Sequence, residues 1–122
     1  EKEWYAEASD GGKRKYPWGD EQVNCYLAIW RDASKAGGCG KDRTWPVCSQ
    51  TEGNSVSGLC DMSGNLWEWT STPFGVEPAK RILRGGGFYE GVERLLATSR
   101  ASEERGIRKT DIGFRCVRGS RP

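Results

Sequence analysis

Histidine is absent from this chain, and that absence removes several chemistries at once. Without imidazole there is no Ser-His-Asp or Cys-His nucleophile pair, and no histidine-bound iron centre within these residues. None of the five cysteines, at positions 25, 39, 48, 60 and 116, stands in a C-x-x-C pair, which argues against a structural zinc site. No apolar stretch approaches the roughly 20 residues that a membrane-spanning helix needs, and no leader-like segment is visible. Net charge is small as well, since 19 basic and 17 acidic residues leave only +2. The basic run Lys13–Arg14–Lys15 reads as a solvated loop, so neither nucleic acid nor membrane is an expected partner.

Glycine and tryptophan are what the sequence does have. Seventeen Gly imply a turn-rich chain with few long helices, and six Trp at a mean hydropathy of −0.76 imply burial through a few large side chains. A length of 122 residues allows one domain or less. Glu1 reads as the middle of a longer polypeptide rather than a natural start.

The richest stretch is Gly58-Leu59-Cys60-Asp61-Met62-Ser63-Gly64-Asn65-Leu66-Trp67-Glu68-Trp69-Thr70. Asp61 and Glu68 lie on either side of a Gly64-Asn65 bend, and two carboxylates plus carbonyls freed by a bend suit a hard cation such as calcium. Beyond the bend, Leu66 and Glu68 alternate with Trp67 and Trp69, which predicts a short strand with the tryptophans on one face. Leu95 and Ala97 alternate with Leu96 and Thr98 and predict a second strand with one buried side. The charged, Gly-broken run from Ala101 to Thr110 reads as an exposed loop. Cys116 alternates with Phe114 and Arg118 in a strand-like run, so it is expected as a buried, inert thiol, with a partner outside the chain as the alternative.

Together with Tyr16-Pro17-Trp18-Gly19-Asp20-Glu21, Thr44-Trp45-Pro46-Val47, Arg81-Ile82-Leu83-Arg84-Gly85-Gly86-Gly87-Phe88 and Asp111-Ile112-Gly113-Phe114-Arg115-Cys116-Val117-Arg118, that stretch resembles the formylglycine-generating enzyme (sulfatase-modifying factor) family. The motifs occur in the family's order along nearly the whole chain. The resemblance implies an α+β, C-type-lectin-like fold, low in regular secondary structure and loop-rich. It also implies that residues 1–122 form a single unit, the carboxy-terminal part of a larger domain whose amino-terminal half is missing or travels as a separate chain. Open apolar faces around Trp4 and Phe114 are then expected.

The resemblance carries specific residues with it. It implies a structural calcium held by the carboxylates of Asp61 and Glu68 and the carbonyls of Gly64 and Leu66, against the alternative that Glu68 pairs with an arginine and Asp61 caps the turn. Cysteines at 48 and 60, where the family usually has other residues, imply a Cys48–Cys60 disulfide. Cys39 replaces an aspartate expected in a calcium-holding insert, which implies a Cys25–Cys39 bridge in place of that metal. Free thiols in a cytosolic protein are the alternative, whereas two disulfides point to a periplasmic or secreted protein.

Catalytic family members bind copper(I) through two cysteines beyond a Gly-Gly-Ser turn. The corresponding segment here, Gly85 to Arg94, is shorter, has Gly87 for the serine and holds no cysteine. Glu90 falls near the first cysteine's place, and a carboxylate is too hard a ligand to replace a thiolate on copper(I). Copper is therefore not expected. Trp67 and Arg100 match groove-lining positions, Glu90 faces the same groove, and Asp111 stands where catalytic members tend to carry asparagine. The expected function is a non-catalytic binding or structural module recognising a protein or small-molecule ligand through a loop-built face. The alternatives are an oxidase or related oxygenase whose ligands lie outside this chain, a regulatory domain fused to a kinase or protease, and a diversified ligand-binding protein.

Overall fold

The computed structural model describes residues 1–118. One helix, α1 (Lys2–Ser9), precedes a long stretch of ordered loops with short 3-10 turns at Gly38–Gly40 and Thr51–Gly53. Strands β1 (Trp67–Phe74), β2 (Glu77–Arg84), β3 (Ala101–Glu104) and β4 (Ile112–Gly113) follow, with a 3-10 turn at Val92–Arg94. They form one mixed sheet in the order β3-β2-β1-β4, antiparallel except where β4 runs parallel to β1. This is the loop-rich α+β architecture expected.

The helix exists to deliver Trp4 and Ala8, four residues apart on one face, to a cluster with Met62 and Ala97. A second cluster joins Tyr16, Val23, Ala28 and Leu95, flanked by Trp18, Trp30 and Leu96. Complete burial of Ile29, Met62, Ile82 and Leu95 contributes roughly 2 kcal/mol per side chain. The Gly64-Asn65 bend ties the motifs together. Gly64 has φ of +82°, and a Cβ there would lie 2.6 Å from the Ile29 carbonyl, so backbone of two segments meets directly. Asn65 accepts from the Trp45 N–H at 2.9 Å and donates to the Trp45 carbonyl at 3.2 Å, clamping the bend to the Trp45-Pro46-Val47 run.

Two secondary-structure expectations are corrected. The run Leu95–Thr98 is turn rather than strand, although its alternation survives in burial: Leu95 and Ala97 are buried and Thr98 is exposed. The buried pair serves two different clusters, which a turn achieves as well as a pleat. The charged run expected as loop instead starts with β3, which pairs Lys80 with Glu104 and Arg81 with Glu103. Opposite charges face each other across the ladder, and Glu103 is also bridged by Lys109. Charge here stabilises an edge strand rather than marking a loop.

Candidate functional site

Strand β1 separates two environments by simple alternation, with Trp67 on one side and Glu68 on the other. On the Trp67 side, the indole Nε1 donates to Glu90 Oε1 at 3.0 Å, and the Trp67 N–H donates to the Asp111 carbonyl at 2.8 Å. Gly87 lies between them: a Cβ there would stand 3.2 Å from both Asp111 Cβ and Trp67 Cδ1. The loop after β2 is fixed further by the Arg31 N–H donating to the Glu90 carbonyl at 3.0 Å and the Gly38 N–H donating to the Phe88 carbonyl at 2.8 Å. Trp67, Glu90 and Asp111 are therefore brought together, and Asp111 also borders an open hollow of about 520 Å³ with Arg108, Lys109 and Thr110.

Arg100, the fourth residue expected in the groove, makes its contacts elsewhere. Its guanidinium holds Glu1 at 2.7 and 3.1 Å, and Glu1 in turn holds the buried Arg84 at 2.7 Å. Burial pushes the Glu1 carboxyl up, but the hydrogen bond from Arg100 and the charge of Arg84 outweigh it and hold it below the usual range. Arg100 thus braces the start of α1 against the sheet.

On the Glu68 side, the buried carboxylate accepts from Trp4 Nε1 at 2.8 Å and from Arg115 Nε at 2.7 Å, while a second Arg115 nitrogen reaches the other oxygen. Arg115 also donates to the Cys60 carbonyl at 2.9 Å. Burial alone would lower the Arg115 pKa, but the hydrogen bond and charge of Glu68 offset that and hold it above its usual value. Asp61, in the left-handed region at φ +53°, accepts from the Cys48 N–H at 2.6 Å. Trp4 and Arg115 were not singled out as site residues from sequence. Arg115 sits in the Gly113-Phe114-Arg115 motif, which was the available signal.

Asp61, Leu66, Glu68 and Arg115 line one pocket of about 180 Å³ with Val47, Cys60, Asn65 and Phe114. The bonds seen are those of the alternative to calcium, with Glu68 paired to Arg115 and Asp61 accepting from the Cys48 N–H, and the Gly64 carbonyl accepts from the Leu66 N–H at 2.8 Å outside this pocket. Asp61 keeps an oxygen without a partner among the described residues, as does the Leu66 carbonyl, and Glu68 Oε1 accepts only from Arg115. Asp61 and Glu68 against Arg115 leave the pocket one negative charge in excess. Arg115 lines this pocket itself and donates to both Glu68 oxygens, whereas Trp4, outside the lining, donates to Oε2. By contrast, the cluster of Cys48, Cys60 and Asp61 offers a metal only one carboxylate, because both sulfurs are spent on each other.

Both disulfides implied by the resemblance, Cys25–Cys39 and Cys48–Cys60, are formed. Cys116 is exposed, contrary to the buried thiol expected. The strand-like alternation that suggested burial is not kept: β4 ends at Gly113, and beyond it only Arg115 is partly buried while Phe114, Cys116 and Val117 are exposed. Trp4 likewise departs from expectation: it is buried at 9% exposure, whereas Phe114 is open at 75%.

The helix, the mixed sheet and the clamped Gly-Asn bend define an α+β fold of the formylglycine-generating-enzyme type. A family model described as a sulfatase-modifying factor enzyme 1-like domain matches residues 1–120, and the chain belongs to that family. It is 28% identical to the "Inactive C-alpha-formylglycine-generating enzyme 2" of Bos taurus, over 98% of this chain and 43% of that protein. It is 28% identical to the "Formylglycine-generating enzyme" of Mycobacterium tuberculosis, over 96% of this chain and 49% of that protein. The structure of PvdO from Pseudomonas aeruginosa superposes with a TM-score of 0.75 at 22% identity, covering 92% of this chain and 48% of that one. The chain therefore spans less than half the length of these relatives.

Proposed function

We propose that this chain is a non-catalytic binding or structural module of the sulfatase-modifying factor family. One observation carries the reading: where copper thiolates would be needed, the cysteine-free loop from Gly85 to Arg94 places Glu90, with its carboxylate committed to the Trp67 indole. A hard carboxylate bound to an N–H neither holds copper(I) nor supplies an oxidant. The likeness to a bovine relative whose name includes "Inactive" supports the same reading. What remains is a rigid framework with a loop face at Trp67, Glu90 and Asp111, suited to a protein or small-molecule ligand.

Calcium belongs to this proposal as a structural ion. Asp61 and Glu68 would supply carboxylates and Gly64 and Leu66 carbonyls, and the ion would pin the bend from which β1 leaves. The two disulfides favour a periplasmic or secreted location. The test is formylglycine formation in a peptide substrate, followed by mass spectrometry with copper(I) supplied to the chain. The expected result is no conversion above the protein-free control. Turnover by this chain would overturn the proposal.

A further inference from the structure

Among the described residues, Cys48, Cys60 and Asp61 are the one group in which three metal-ligating side chains converge, with ligand atoms all within 4.8 Å of one another. In the oxidised chain the two sulfurs are joined, so a single carboxylate is all the group offers. Opening that bond changes its chemistry. Two thiolates and a carboxylate make a soft, strongly anionic donor set, which suits zinc rather than calcium. Tetrahedral zinc holds sulfur and oxygen ligands roughly 3.5–3.8 Å apart. Side chains already within 4.8 Å reach that spacing by small rotations.

The surroundings favour such a site. Arg115 donates to the Cys60 carbonyl at 2.9 Å, and a neighbouring cation favours the thiolate over the thiol. The Cys48 N–H orients Asp61 through one carboxylate oxygen at 2.6 Å and leaves the other without a partner among the described residues. Access is open as well, since Cys48 is exposed and Cys60 only half-buried. The second bridge lacks these features. Cys25 and Cys39 are both half-buried, Cys39 Sγ lies 3.4 Å from the Ala28 carbonyl, and no carboxylate completes a group with them among the described residues.

We propose that Cys48, Cys60 and Asp61 form a redox-controlled zinc site, closed as a disulfide and opened by a protein dithiol of the C-x-x-C type. The dithiol's thiolate attacks one sulfur of the bridge, and its second thiol resolves the mixed disulfide. Two electrons thus pass to Cys48 and Cys60, which become thiols, while the dithiol becomes a disulfide. Zinc then displaces the two thiol protons to solvent and takes three protein ligands, with water in the fourth position. A fully protein-ligated structural zinc, which the cysteine spacing argued against, is a different arrangement. Reoxidation rejoins the sulfurs and expels the ion. The proposal is independent of the chemistry at Trp67 and Glu90.

Zinc alone is the probe, and because Asp61 also belongs to the calcium proposal the titration is run without calcium. A chromophoric chelator competes for the ion, and near-UV circular dichroism follows the fold. The expected result is no stoichiometric zinc on the oxidised chain, and one zinc per folded chain after reduction by a phosphine. Cobalt(II) in its place should show thiolate charge-transfer absorption. Asp61→Asn, which keeps both sulfurs, should weaken zinc at least tenfold. A reduced chain that takes up no zinc, folded or not, overturns the proposal. So does zinc bound only with loss of the near-UV signal, undiminished zinc binding by Cys48→Ser/Cys60→Ser, or an Asp61→Asn chain that binds as tightly as the wild type.

Discussion

Glu68→Ala is expected to lower the melting temperature by about 10 °C, corresponding to a loss of about 3 kcal/mol. The size follows from what is left behind. Glu68 is buried, and removing its carboxylate strips the charge partner from Arg115 and the acceptor from the Trp4 indole at once. An orphaned charge in a pocket costs more than the net worth of the pair that held it. The same substitution should abolish the response to calcium. In the wild-type chain, calcium at a hundred times its dissociation constant would stabilise by about 2.7 kcal/mol, read as a rise in melting temperature. Arg115→Met separates the two roles: it should destabilise the chain but preserve the calcium response, because the ion then neutralises Glu68. A Glu68→Ala chain that still responds fully to calcium would remove Glu68 from the ligand set. A wild-type chain with no response would overturn the calcium proposal and leave Glu68 with Arg115 and Trp4 as its partners.

The second large effect is expected from the disulfides. Cys25–Cys39 and Cys48–Cys60 join residues 14 and 12 apart, and loss of either should cost about 3 kcal/mol in the chain-entropy account. Replacing each pair by alanines, and following thermal unfolding, gives the two values separately. Their functional consequences should differ, since the bridges support different elements. Cys39 follows Gly38, which bonds the Phe88 carbonyl in the loop that carries Glu90. Cys48 donates its N–H to Asp61. Removing Cys48–Cys60 should therefore weaken the calcium response, whereas removing Cys25–Cys39 should leave it and loosen the loop at Glu90. A pair of variants as stable as the wild type would contradict the structural role of both bridges.

Much of this was legible because glycine and asparagine mark backbone events directly. The Gly64-Asn65 bend and the strand leaving it follow from residues whose conformational requirements are narrow, while both cysteine pairings were implied by the family resemblance and are formed. What sequence hid depended on partners distant in the chain. Glu103 and Glu104 read as solvated charges until the structure sets them opposite Arg81 and Lys80. Arg100 matched a groove position in the family pattern, and its bond to Glu1, 99 residues away, could not be read there. Cys116 lies in a run that alternates in sequence, but β4 ends at Gly113 and no pleat buries the thiol.

The central claim, that the groove has lost its oxidant, is tested most directly by measuring copper(I) bound to the purified chain in competition with a soluble chelator, with Cys116→Ser as the control. The account predicts no stoichiometric copper in either protein, because no pair of thiolates faces Trp67 and Glu90. One copper per chain, retained in Cys116→Ser, would contradict it.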